Sequence, residues 1–190
     1  MPGLTFVEES LEYYSKVLFN GRRVIKFPEQ AFFKWLGRHH FQTPHTAAII
    51  DAADLDTTIS IYEWWRDTTK WTIEQEKLPE TTLAATGVRA RDSPYRWLNV
   101  KKNGATRVNA KNWLPIWNYT LADVEAAIQR SGVKLPLDYR LFGRSFGGGV
   151  DARFLVPIKR HLPEDWEKIC NWFPLAELEV WKYERWVEKA

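Results

Sequence analysis

Between Arg89 and Lys111 the chain carries Arg89, Arg91, Arg96, Lys101, Lys102, Arg107 and Lys111 against one acid, Asp92. Tyr95 and Trp97 are interleaved with them, and Trp113 lies two residues beyond. Cationic side chains neutralise phosphates, and exposed aromatic faces stack on unpaired bases for roughly 1–3 kcal/mol each. These residue types together are those of a nucleic-acid contact. The competing reading makes the tryptophans buried bulk whose N–H finds an internal partner.

A second constellation is Gly143-Arg144-Ser145-Phe146-Gly147, which has the G-x-S-x-G spacing of a strand–turn–helix nucleophile elbow. The motif runs directly into Gly147-Gly148-Gly149, a poor start for a helix. Downstream, only Asp151 and His161 could complete a triad. A glycine-rich turn between strands explains the motif better, and its Arg144 then serves as a further phosphate contact at a hairpin tip. No G-x-G-x-x-G or GK[ST] signature accompanies it.

His39, His40 and His45 cluster in sequence, with His161 distant, but they come without a cysteine pair or H-E-x-x-H spacing. Surface or capping roles are expected, and no metal or other cofactor. Asp67 with Glu74, Glu76 and Lys77 loosely resembles the carboxylates and lysine that hold Mg²⁺ on adjacent strands of nucleases. Lys77 comes directly after Glu76, so the usual Glu-x-Lys triplet is missing.

These residues need elements to position them. Tyr95 to Lys102 and Ala105 to Asn109 have strand-like composition, and Asn103-Gly104 between them suits the two positive φ values of a type I′ turn, so a hairpin is expected. Alternation would then set Tyr95, Trp97 and Lys101 on one face and Leu98 and Val100 on the other. Thr57 to Trp65 and Lys70 to Gln75 suggest another hairpin around Arg66–Thr69. Leu137 to Phe142 and Val150 to Ile158 are further strand candidates, and Arg22 to Phe27 a short one.

Helices are expected over Thr5 to Leu18, stopped by Asn20-Gly21, and over Glu29 to Leu36 after Pro28 and before Gly37. Others are Ala47 to Ala53, a helix capped by Thr120 and stopped by Gly132, one from Pro163 to about Trp172, and Leu175 to Glu188. The whole reads as an α+β fold, with antiparallel hairpins in the middle of the chain and helices grouped toward the N- and C-terminal ends, in one domain over 1–190.

Composition bounds the classes. The chain has 190 residues, 45% apolar and 27% charged, with a net charge of +3, which is a globular rather than a disordered balance. The charge is uneven: residues 86–160 hold 14 basic and 5 acidic side chains, while both flanks are net acidic. Cys170 is alone, so no internal disulfide forms, and no stretch approaches about 20 apolar residues. A cytoplasmic protein without a membrane partner is expected.

The sequence therefore points to a non-enzymatic nucleic-acid-binding protein that uses Arg89, Arg91, Tyr95, Arg96, Trp97, Lys101, Lys102, Arg107, Lys111 and Arg144. The alternative is a structural or adaptor subunit of a protein assembly. Trp64, Trp65, Trp113, Trp117, Trp172, Trp181 and Trp186 exceed what a core of this size needs, and tryptophan is an interface anchor. A Mg²⁺-dependent nuclease comes third.

Overall fold

The computed structural model describes residues 3–27, 30–55 and 61–187. The chain is mostly helical, 59%, with one small three-stranded sheet near its middle and helices at both ends. Two compact units form, one from Met1–Thr58 with Leu135–Ala190 and one from Ile59–Lys134.

The first unit begins with α1 (Thr5–Val17), α2 (Gln30–Gly37) and α3 (Pro44–Ala52). Asn20 and Gly21, both at positive φ, come after the end of α1 as the sequence predicts. Thr43 caps α3 reciprocally with Thr46, with Pro44 in the first turn where its missing N–H costs nothing. Pro28 and Glu29, expected to open α2, lie outside the described residues. Residues 22–27 are irregular rather than a strand.

In the second unit, α4 (Ile61–Gln75) is one helix in place of the expected hairpin. Its β-branched and aromatic residues suggest strand, but the period decides. Trp64, Thr68, Thr72 and Ile73 form the half-buried side of a helix, and the Thr68 and Thr72 hydroxyls bond to carbonyls one turn back. The part of that expected strand before Ile61 falls outside the described residues. Next come β1 (Ala84–Ala85), a 3-10 turn (Ala90–Asp92), α5 (Pro94–Asn103), β2 (Thr106–Arg107), β3 (Asn112–Trp113) and α6 (Leu121–Ser131). The sheet order is β1-β3-β2, with β1 parallel and β2 antiparallel to β3.

The expected hairpin over Tyr95 to Asn109 is corrected here. Tyr95 to Lys102 is helical, because Ser93 accepts the Arg96 N–H at 3.2 Å as N-cap, Pro94 fills the first turn, and Gly104 at φ 74° ends the helix. Asn103-Gly104 is therefore a helix terminus and not a type I′ turn. An antiparallel pair does exist just downstream: Thr106 faces Trp113 and Arg107 faces Asn112, with residues 108–111 as the loop. The small core of this unit is Ala90, Val100 and Leu114, with Val88 and Ala105 packed on it.

The chain returns to the first unit with α7 (Leu137–Phe142), α8 (Ala152–His161), α9 (Pro163–Trp172) and α10 (Ala176–Val187). Two expected strands are thus helices. In α8 Ala152, Phe154, Leu155, Val156 and Ile158 are buried, and the five consecutive apolar residues after Arg153 are too short and continuous a run to carry a period that separates strand from helix. In α7 Gly143 takes the left-handed conformation at the C-terminus. α9 runs over the residues predicted, and the last expected helix is present as α10; its predicted final residue, Glu188, lies outside the described residues.

The core of this unit surrounds α8. Phe6, Phe142, Phe146 and Phe154 form a ring of aromatic contacts, with centroids 5.2 Å apart for Phe6–Phe146 and 5.1 Å for Phe142–Phe154. Leu155, Ile158, Ile169, Phe173 and Val180 are fully enclosed beside it. The α+β expectation therefore gives way to an essentially all-α chain with minor β, because tertiary packing rather than strand propensity places the aromatic and β-branched residues.

Candidate nucleic-acid interface

Nine of the ten residues singled out lie in the second unit, and α5 carries five of them. At 100° per residue, Val100 points to the core; Trp97 stands about 60° to one side of it, and Lys101, Leu98, Lys102 and Tyr95 follow in turn around the side facing away. The strand alternation that put Leu98 with Val100 is corrected accordingly: Val100 is 8% exposed and Leu98 57%. Tyr95 and Trp97 are 66% and 50% exposed. The Lys101 ammonium sits 5.0 Å from the centre of the Trp97 ring, one helical turn away, in a cation–π contact.

The remaining cations divide by what already holds them. Asp92 accepts from Arg89 Nη2 at 2.6 Å and from Arg96 Nη1 at 2.7 Å. Burial alone would push this carboxyl up, but the bonds from Arg89 and Arg96 outweigh it and hold Asp92 below the usual carboxylate range. Arg89 and Arg96 are thus engaged by an acid of their own unit. Arg107 Nε donates to the Gly104 carbonyl at 3.1 Å, and Lys111 Nζ donates to the Glu80 carbonyl, both bonds that tie the sheet's loops. Lys102 forms no ion pair or hydrogen bond among the described residues and is exposed. Arg91 is exposed, and its charge reaches Asp123 at the start of α6. The Thr120 N–H and hydroxyl hold that carboxyl below its ordinary value, with a smaller contribution from Arg91.

Beside α5 lies a cavity of about 400 Å³ lined by Ala90, Arg91, Trp97, Trp117 and Asn118. The Ala90 N–H donates to the Trp117 carbonyl at 2.7 Å, which pins the segment before α6 against the 3-10 turn. Asn118 belongs to no sequence pattern, and Trp117 stands out in the sequence only as surplus aromatic surface. Twenty residues separate Trp97 from Trp117, so only the folded backbone brings them to one cavity.

Arg144 lies in the first unit, exposed in the loop between α7 and α8. The glycines there do not form a hairpin tip, because both flanking segments are helices. Gly143 ends α7, Phe146 inserts its ring between Phe6 and Phe154, and the Phe146 N–H donates to Asp138 at 2.9 Å. A nucleophile elbow requires a strand before the serine, and a helix stands there instead. Asp151 caps α8 by accepting from the Arg153 N–H at 3.0 Å and also pairs with the Arg153 side chain.

The other candidates dissolve into local structure. His39 Nε2 lies 2.8 Å from Asp51 Oδ1, and no group of three potential metal ligands occurs among the described residues. Asp67 pairs with Arg66, and Glu74 lies 3.9 Å from Lys70, all on exposed positions of α4. Adjacent strands that would hold a Mg²⁺ ion between such carboxylates are not formed by this segment. Among the described residues no helix is long and apolar enough to cross a membrane. No family model, curated protein or solved structure matches the chain.

Proposed function

We propose that this protein binds nucleic acid without catalysing a reaction on it, through the outward side of α5 and the cations beside it. The observation that carries this reading is the continuous exposed arc of Trp97, Lys101, Leu98, Lys102 and Tyr95, in which an aromatic side chain at each end flanks two ammonium groups on one helix. Such an arc offers phosphate neutralisation and base stacking from adjacent side chains. Arg91 extends it, while Arg89 and Arg96 position the 3-10 turn and the helix start through Asp92.

The test is a titration with single- and double-stranded DNA and RNA at low and physiological salt. Salt-dependent binding whose log–log slope flattens by about 0.7–0.9 in Lys101→Ala and again in Lys102→Ala supports the assignment. Absence of binding at low salt, where counterion release favours the complex most, ends it.

A second reading, a subunit of a protein assembly, is favoured by α10. Leu178, Trp181 and Arg185 share the side of α10 opposite buried Ala176 and Val180. Leu178 and Trp181 are 49% and 52% exposed, and Arg185 lies 4.9 Å over the Trp181 ring. Light scattering tests it, since a monomer at every concentration, with no partner retained, removes its support.

A further inference from the structure

We infer that the cavity between Trp97 and Trp117 receives an unpaired nucleobase, so that the nucleic acid bound is single-stranded. This rests on the reading of α5 as a nucleic-acid surface and adds the strand state and the seat of one base.

The cavity has the parts such a seat requires. Trp97 and Trp117 both line it, are 50% and 41% exposed, and make no ring contact with each other, so each has aromatic surface to offer a flat guest. Ala90, 5% exposed and without a bulky side chain, lines the cavity as well. Asn118, exposed and lining the same cavity, has a side-chain amide with both a donor and an acceptor that forms no hydrogen bond among the described residues; the edge of a base needs both. Arg91, which also lines the cavity, supplies a cation for the adjoining phosphate.

The Trp97 indole is already covered on one side by Lys101 at 5.0 Å, and a base on its other side would complete a stack of cation, indole and base. The volume, about 400 Å³, falls within the span of roughly 300–1,000 Å³ usual for small-ligand sites. The bases of a duplex are paired and stacked inside it, so they could enter only after being turned out at a cost of a few kcal/mol. Unpaired bases enter without that cost, and this selects the single strand.

The experiment measures anisotropy of a labelled oligothymidylate, an oligoadenylate and a duplex of the same length, at two salt concentrations. The expected result is tighter binding of the single strands, with Trp97→Leu and Trp117→Leu each lowering their affinity by about 5- to 150-fold while leaving the salt slope unchanged, because no phosphate contact is lost. Asn118→Ala, at an exposed position that does not threaten folding, lowers the affinity for oligoadenylate and oligothymidylate to different extents.

Equal affinity for duplex and single strand, with Asn118→Ala indistinguishable from the parent, would overturn the inference and leave nucleic-acid binding by α5 intact. Failure of all three probes at low salt would overturn both.

Discussion

The carboxylate of Asp165 accepts the backbone N–H of Thr5 at 2.6 Å and that of Phe6 at 3.1 Å, so helix α1 is capped by a residue 160 positions away. Leu4, at the N-cap position itself, has no side-chain acceptor. Asp165 is 2% exposed, and Lys168 completes its shell at 3.2 Å. The first turn of a helix leaves unpaired donors and a partial positive charge, and a buried carboxylate answers both. One side chain thereby fastens the start of α1 to α9.

Replacing Asp165 by Ala leaves two enclosed N–H groups without acceptors and is expected to destabilise the protein by about 1–3 kcal/mol in urea or thermal unfolding. The pH dependence has a definite sign. Burial alone would push Asp165 up, but the bonds from Thr5, Phe6 and Lys168 prevail, so its folded-state pKa lies below the ordinary value. A depressed carboxyl contributes its full stability above the unfolded pKa and loses it as pH falls through that value toward the folded one. Below about pH 4 the parent should therefore lose stability more steeply than Asp165→Asn, and parallel curves would refute the cap's charge.

The helical state of α5 has its own test at the two ends. Gly104 has φ 74° and ψ 173°, a conformation nearly reserved for glycine, while an added Cβ would meet nothing nearer than the Thr106 carbonyl at 3.8 Å. Gly104→Ala should cost about 1–3 kcal/mol from backbone strain alone. Ser93→Ala removes the N-cap and should cost about 1 kcal/mol. In a hairpin over the same residues Ser93 would have no such role, so an unchanged melting temperature in Ser93→Ala would argue against the helix.

The same two ends show how far the sequence is legible. Ser93-Pro94 and Gly104 are start and stop signals ten residues apart, and both are plain in the sequence. The strand-forming Tyr95, Trp97 and Val100 and the Asn-Gly pair outweigh them because a ten-residue segment with one buried side chain has almost no apolar period. The helices with a plain start or stop signal and a clear period, α1 before Asn20-Gly21, α6 between Thr120 and Gly132, and α9 from Pro163, are legible for the converse reason. The cavity at Trp97 is not legible, since Trp117 and Asn118 reach it through a backbone bond to Ala90 that no spacing announces. The cations are legible as a group, but not the role of Asp92 in holding two of them.

Asp92 provides a prediction that separates structural from ligand-binding charge. It holds Arg89 and Arg96 against phosphate, so Asp92→Asn should free both guanidinium groups. Nucleic-acid affinity is then expected to rise, and the salt slope to steepen by about 0.7–0.9 for each guanidinium that turns to a phosphate. Thermal stability should fall at the same time, because the 3-10 turn and the start of α5 lose their shared anchor. Loss of both stability and affinity would instead assign Arg89 and Arg96 to folding alone.

Cys170, half-buried in α9, tests the packing of the first unit by chemistry rather than by melting. Burial pushes its thiol up, the nearby Glu177 charge adds to this, and Lys159 opposes it more weakly. Only the thiolate attacks an alkylating reagent, and a raised pKa lowers its fraction at neutral pH. Iodoacetamide at about pH 7.5 should therefore modify the native protein more slowly than the urea-unfolded chain. Glu177→Gln, which removes the like charge and also frees Lys159 from its 3.0 Å ion pair, should accelerate the native reaction. A native rate equal to the unfolded one would mean that α9 does not shield this thiol, and an unchanged rate in Glu177→Gln would remove the electrostatic part of the account.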